Sequence, residues 1–209
     1  WESDHIQVAG LIVSTYNDTP SHHDSVKSLS DWLKEEGIPA LEVKDTRAIT
    51  EKLRDGGAML GKIIAGNNKI NFEDPNTRNL SREVSTKEIK TYGNGKHTIV
   101  VIDCGEKRNM VRRLVARGIK VVVVPFDTDV TKLNFKFDAV LISNGPGDPA
   151  ATGVYAAPQI KKLVDSGKPV MGVCLGHQML GLALGAKTHK MAQGHHGANH
   201  PVKDQSTGK

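Results

Sequence analysis

The chain has little of what marks several protein classes. Only two of its 209 residues are cysteine, Cys104 and Cys174, which excludes a small scaffold held together by disulfides. No apolar run approaches the roughly 18 residues that cross a bilayer, so neither a membrane span nor a membrane partner is expected. Aromatic residues make up 4% of the chain. None interleaves with Arg108, Arg112, Arg113 and Arg117 as a base-stacking platform requires, so that cluster reads as a solvated helix face. Charge of one sign is lacking too: 28 basic and 23 acidic side chains are scattered along the chain and leave +5, a balance that argues against a nucleic-acid footprint. Neither an initiator Met nor a basic-then-apolar leader stands at Trp1, and the expectation is a cytoplasmic protein of which this is a fragment.

What is present is an ordinary soluble composition, 38% apolar and 24% charged, over a length that suits one medium domain or two small ones. His5 to Ser14 is rich in β-branched residues and reads as a strand; Val26, Leu29, Trp32 and Leu33 recur at helical spacing before Gly37. Pro39 to Val43, a helix capped by Asp45 and running through Arg54, and a strand-like stretch from Met59 to Ala65 follow. From 66 to 96 the chain turns polar and gains Gly, Asn and Pro, the signature of a connection. The expected organisation is therefore 1–65 as one domain, 66–96 as a linker and 97–209 as a second domain.

Beyond residue 96 near-continuous apolar runs, His97 to Asp103 and Ile119 to Pro125, alternate with helical patterns at about 106–116, 154–164 and 175–184, with further strands at 137–143 and 169–173. Apolar runs between helices predict buried parallel strands, hence an open, mostly parallel α/β sheet flanked by helices. Ligands of such sheets sit beyond the carboxyl ends of the strands, which directs attention to the loops after Asp103, Pro125, Ser143 and Val173.

The last of those loops reads Gly172-Val173-Cys174-Leu175-Gly176-His177-Gln178. A cysteine between an apolar strand and an apolar helix, with glycine two positions away on each side, is a nucleophile elbow with sulfur in place of oxygen. The turn forces the nucleophile into a cramped backbone, so the residues beside it must be small, and a helix N-terminus beyond it favours the thiolate. A buried small apolar side chain is the commonest fate of a free cysteine, but the flanking glycines and the strand-end position favour the elbow. His177 stands three positions along the helix, and its side chain is expected to point into packing and not toward the thiol. Upstream, Ser143-Asn144-Gly145-Pro146-Gly147-Asp148-Pro149 is stiffened by prolines and opened by glycines, so that a substrate backbone or an oxyanion can approach it; alone it would be an ordinary turn.

Together GVCLGHQMLGLALGAKTHKM and ISNGPGDPA resemble the class I, triad-type glutamine amidotransferases. Within that family the stretches at 194–202 (GHHGANHPV), 103–118 (DCGEKRNMVRRLVARG) and 44–63 (KDTRAITEKLRDGGAMLGKI) are similar to the small, glutamine-hydrolysing subunit of carbamoyl phosphate synthetase, and the resemblance covers essentially the whole chain. It implies that Cys174 is the nucleophile, that Leu175 and Gly147 present backbone N–H groups to an oxyanion, that Gly145 lies in the same substrate-facing loop, and that Gln178 contacts bound glutamine. It implies no cofactor and no metal on this chain, with ATP and Mg on a synthetase partner, either a separate large subunit or a fused synthetase domain, in arginine or pyrimidine biosynthesis. The general base of the family, a histidine with glutamate two residues on, has no counterpart in 175–209, so the resemblance implies truncation at both ends. His195, His196 and His200 accompany the base in the family and are read as structural, without the Cys, Asp or Glu spacing of a metal site. Two other readings stand beside this one: a cysteine hydrolase of other γ-glutamyl compounds, and a non-catalytic or regulatory subunit that keeps the fold.

Overall fold

A short parallel pair opens the structure. Strand β1 (Leu11–Val13) lies beside β2 (Ala40–Glu42), Leu11 opposite Ala40 and Val13 opposite Glu42, and helix α1 (Leu29–Glu35) connects them. Helix α1 starts where the Ser28 hydroxyl accepts the Asp31 N–H at 3.0 Å. Helix α2 (Thr46–Gly56) starts where Asp45 accepts from Ala48 at 2.9 Å, the cap its sequence announces. This computed structural model describes every residue except Trp1, Glu2, Ala65, Asn68, residues 195–198 and His200; the histidines weighed above at 195, 196 and 200 therefore lie outside the described residues.

The chain divides into two units, Val8–Phe72 with His189–Lys209, and Glu73–Thr188 with the described residues up to Gln7. In the first unit, residues 59–64 form no strand, contrary to the expectation for 59–65, and Met59, Leu60 and Ile64 are exposed. A run becomes a strand only where a neighbour accepts and donates its backbone hydrogen bonds, and the sheet of this unit has two strands among the described residues.

The second unit begins inside the stretch that reads as a connection, with α3 (Leu80–Val84), capped by Asn79 accepting from Arg82 at 3.1 Å, and β3 (Lys90–Tyr92). Then follow β4 (His97–Asp103), α4 (Arg108–Val115), β5 (Ile119–Pro125), β6 (Ala139–Ile142), α5 (Pro149–Asp165), β7 (Val170–Gly172) and α6 (Leu175–Ala183). The five strands stand in the order β3-β5-β4-β6-β7, all parallel except β3, which pairs antiparallel with β5. This is the open, mostly parallel α/β sheet that the apolar runs predict.

Alternation along the strands sorts the core into two layers. Val100, Ile102, Val122, Val124, Val140 and Ile142 face α5 and α6, where they meet Ile160, Leu163, Leu175 and Met179. Val101, Val121 and Val123 face the opposite way, onto Val111 of α4. Because β4 has β5 on one side and β6 on the other, successive connections leave it in opposite directions. That makes the carboxyl ends of β4 and β6 the switch point of the sheet, the place at which sheets of this kind bind ligands.

Strand β7 forms one edge of this sheet, and its Met171 is 64% exposed. An uncovered apolar edge invites strand addition. Residues 1–209 purified alone are expected to self-associate with rising concentration, and Met171→Lys, which places a charge on the edge strand, is expected to reduce this. Light scattering across a concentration series checks it; a concentration-independent monomer for the unsubstituted chain would refute it.

Candidate active site

The turn between β7 and α6 places the cysteine. Val173 donates its N–H to Ile142 O at 3.0 Å, continuing the strand pairing one residue further. Cys174 then adopts φ 53° and ψ −111°, the one non-glycine residue at positive φ among those described. Its side chain is exposed, while Leu175, the first residue of α6, is buried in the core. The N–H of a first helical residue has no acceptor within its own helix.

The two flanking glycines have geometric reasons. A Cβ on Gly172 would lie 2.4 Å from the carbonyl carbon and oxygen of Gly176, and one on Gly176 would lie 2.3 Å from Ile142 O. Neither position admits a side chain. The Gly176 N–H donates to Ser143 O at 3.1 Å, which ties the cysteine turn to the loop after β6.

That second loop is fastened from below. The Ser143 hydroxyl, fully buried, accepts the Cys104 N–H at 2.9 Å and donates to Asn144 O at 2.7 Å. The Asn144 amide donates to Gly105 O at 3.0 Å. Gly145 rests so closely on Cys104 that a Cβ there would be 2.0 Å from the Cys104 carbonyl oxygen. Gly147 is exposed with φ 91°, and Asp148 caps α5 by accepting from Ala150 at 2.8 Å. Cys174, Leu175 and Gln178 thus stand on one element and Gly145 and Gly147 on the next, joined through the pairing of β6 with β7.

Gln178 is exposed one helical turn beyond Cys174, with its N–H on Cys174 O at 3.1 Å. His177 is exposed as well, which corrects the expectation that it packs. Helix α6 buries Leu175, Gly176 and Met179; at 100° per residue, position 177 falls on the opposite side from that face. The other thiol, Cys104, has no exposed surface, and burial first, then the neighbouring Asp103 charge, pushes its pKa up to about 12. One group of metal-ligand type occurs among the described residues, His22, His23 and Asp24, with ligand atoms within 4.8 Å. The two imidazoles are stacked at 20° and the His22 Nδ1 accepts the Asp24 N–H at 3.1 Å, so their lone pairs do not converge on one point.

Ser143 and Asn144, which in the sequence carry no role beyond the turn, tie the loop down, and the α3 segment, with Leu80 beside Gly147, has no sequence signal of its own. The asparagine and serines were visible but mark turns everywhere; only their long-range partners give them meaning.

Comparison with known proteins fits this arrangement. The family profile Glutamine amidotransferase class-I matches residues 100–209, and the profile Carbamoyl-phosphate synthase small chain, CPSase domain, matches residues 1–63. The chain is 47% identical over 228 residues to the multifunctional protein pyr1-3 of Dictyostelium discoideum, covering 100% of this chain and 10% of that one. It is 44% identical over 204 residues to the human mitochondrial carbamoyl-phosphate synthase [ammonia], covering 96% of this chain and 13% of the relative. It is 43% identical over 215 residues to the carbamoyl phosphate synthase arginine-specific small chain of Neurospora crassa, covering 100% of this chain and 48% of the relative. The chain therefore spans about half of a small chain and a tenth or so of the longer relatives.

The two thiols are expected to separate cleanly in labelling. Under native conditions near pH 8, iodoacetamide should modify Cys174, which is exposed, and spare Cys104, which is buried and holds its proton to about pH 12. Peptide mass spectrometry reads the sites, and Cys104 labelled ahead of Cys174 would contradict the geometry.

Proposed function

Because this chain belongs to the class-I glutamine amidotransferases, and carries the small-chain domain of carbamoyl-phosphate synthase ahead of the amidotransferase region, we propose that it is the glutamine-hydrolysing part of a carbamoyl-phosphate synthase. The observation that carries the reading is Cys174, an exposed thiol held at positive φ between a strand and a helix.

In this reading Cys174 Sγ bonds to the side-chain amide carbon of glutamine and the carbonyl electrons move onto oxygen. The N–H groups of Leu175 and Gly147 donate to that oxyanion, Gly145 leaves room for the substrate, and Gln178 contacts bound glutamine. Collapse expels the nitrogen as ammonia once it has taken a proton, leaving a γ-glutamyl thioester. Water then releases glutamate and the free thiol. Proton transfer in both halves is assigned to a histidine with glutamate two residues on, a pair that does not occur in 175–209.

Ammonia passes to a synthetase large subunit or fused synthetase domain, where ATP, Mg and bicarbonate are used; this chain needs no cofactor of its own. The compartment is cytoplasmic in this reading, although one relative is named as mitochondrial; no described helix is long and apolar enough to cross a membrane. The same relative is named for ammonia, which favours a second reading in which the fold is kept without hydrolysis. The exposed Cys174 at a strained turn weighs against it here.

The test is made on the full-length protein with its partner. Cys174→Ser is expected to abolish glutamine-dependent carbamoyl phosphate formation while ammonia-dependent formation persists; glutamine-dependent formation that survives the substitution would sink the proposal. Gly147→Val forces a β-branched residue into φ 91° and moves the N–H donor. Loss of one such donor typically costs about 10²- to 10³-fold in kcat, and unchanged glutaminase turnover would mean that the loop is only a turn.

A further inference from the structure

Residues 79–86 precede β4 and lie in the stretch that reads as a connection, yet they reach the ends of three strands. Leu80 stands beside Gly147: a Cβ built on Gly147 would lie 3.4 Å from Leu80 Cβ and 3.8 Å from its Cγ. Ser81 is fully buried, and its hydroxyl lies 3.3 Å from that of Thr152 in the first turn of α5. Val84 lies against Gly105, the loop after β4, with a methyl 2.9 Å from where a Cβ would stand. The Ser85 hydroxyl accepts the Phe126 N–H at 3.0 Å, just past β5. The Thr86 N–H donates to Asp103 Oδ2 at 2.7 Å, and the other oxygen of that carboxylate accepts from Gly105 and Glu106 at 2.9 and 2.8 Å.

A connection needs none of this. Two buried hydroxyls in so short a segment cost free energy unless their partners are held in place. Here their long-range partners, Thr152 and Phe126, lie just beyond the carboxyl ends of β6 and β5. We propose that α3 is a brace, and that Leu80 is a positioning residue which limits the movement of the Gly147 peptide. Gly147 itself has no side chain to anchor it, and at φ 91° its backbone sits where glycine is freest to move. A donor aimed at a developing oxyanion must nevertheless be fixed before the reaction, since a displacement of about 1 Å can cost a hundredfold in rate. Leu80 is the residue that stands nearest to where a Gly147 side chain would be. The catalytic consequence rests on the glutaminase reading above; the mechanical one does not.

The test uses the full-length protein with its synthetase partner and two variants, Leu80→Ala, which removes the Cγ and Cδ atoms beside Gly147, and Leu80→Met, which restores a long apolar side chain there. Two measurements are made on each. Amide hydrogen exchange at Gly147 and Asp148 is expected to rise about tenfold in Leu80→Ala and to return toward the unsubstituted rate in Leu80→Met. Glutaminase kcat is expected to fall about tenfold in Leu80→Ala, with KM for glutamine within twofold, and to recover in Leu80→Met, while ammonia-dependent synthesis stays unchanged in both. Exchange that does not change in Leu80→Ala overturns the brace, whatever the activity. A parallel fall in ammonia-dependent synthesis overturns it too, as general damage. Faster exchange in a protein that never hydrolyses glutamine upholds the brace and removes the glutaminase reading instead.

Discussion

Close approach of bare backbone at the carboxyl ends of β4, β6 and β7 is the constraint on which the rest of the site depends. Gly145 lies on the Cys104 carbonyl, Gly176 on the Ile142 carbonyl and Gly172 on the Gly176 carbonyl, each too near for a Cβ. Hydrogen bonds run through the same places: Ser143 to Ile102 O, Val173 to Ile142 O and Gly176 to Ser143 O, all within 3.1 Å. The ladder of the sheet therefore continues past the ends of the strands into the loops. Loops built in this way inherit the rigidity of the sheet through main-chain hydrogen bonds.

Much of the sheet was legible because its strands leave no alternative. The runs 97–103 and 119–125 are apolar on both faces and bounded by turn residues, and they form β4 and β5 with the expected bounds. Asp45 was legible as a cap because capping is decided within four residues. Failures came where long-range contacts decide. The apolar 59–64 run has no strand beside it and stays irregular. Segment 80–92 looked like a connection since α3 is only five residues long and β3 only three, and its anchors lie far off in sequence, Ser81 reaching Thr152 and Ser85 reaching Phe126. At the site, Cys174 and the glycines were legible because the turn is strained and excludes other residues. The orientation of His177 was not, because it depends on which face of α6 the core claims.

That same face explains how the strained cysteine is held. Residues in sparsely populated backbone regions cost about 1 to 3 kcal/mol and persist only where their surroundings over-determine them. Immediately beyond Cys174, Leu175 and Met179 are almost entirely buried in the core layer under β4 and β6. Full burial of such side chains contributes about 1.5 to 3 kcal/mol each, so together they exceed the strain. Local preference at residue 174 is thus overruled by packing one and five residues later. The direction of the thiol follows from that packing: the helix turns its apolar face inward, the sheet fixes where its first residue begins, and the cysteine before it is left facing solvent beside the switch point of the sheet.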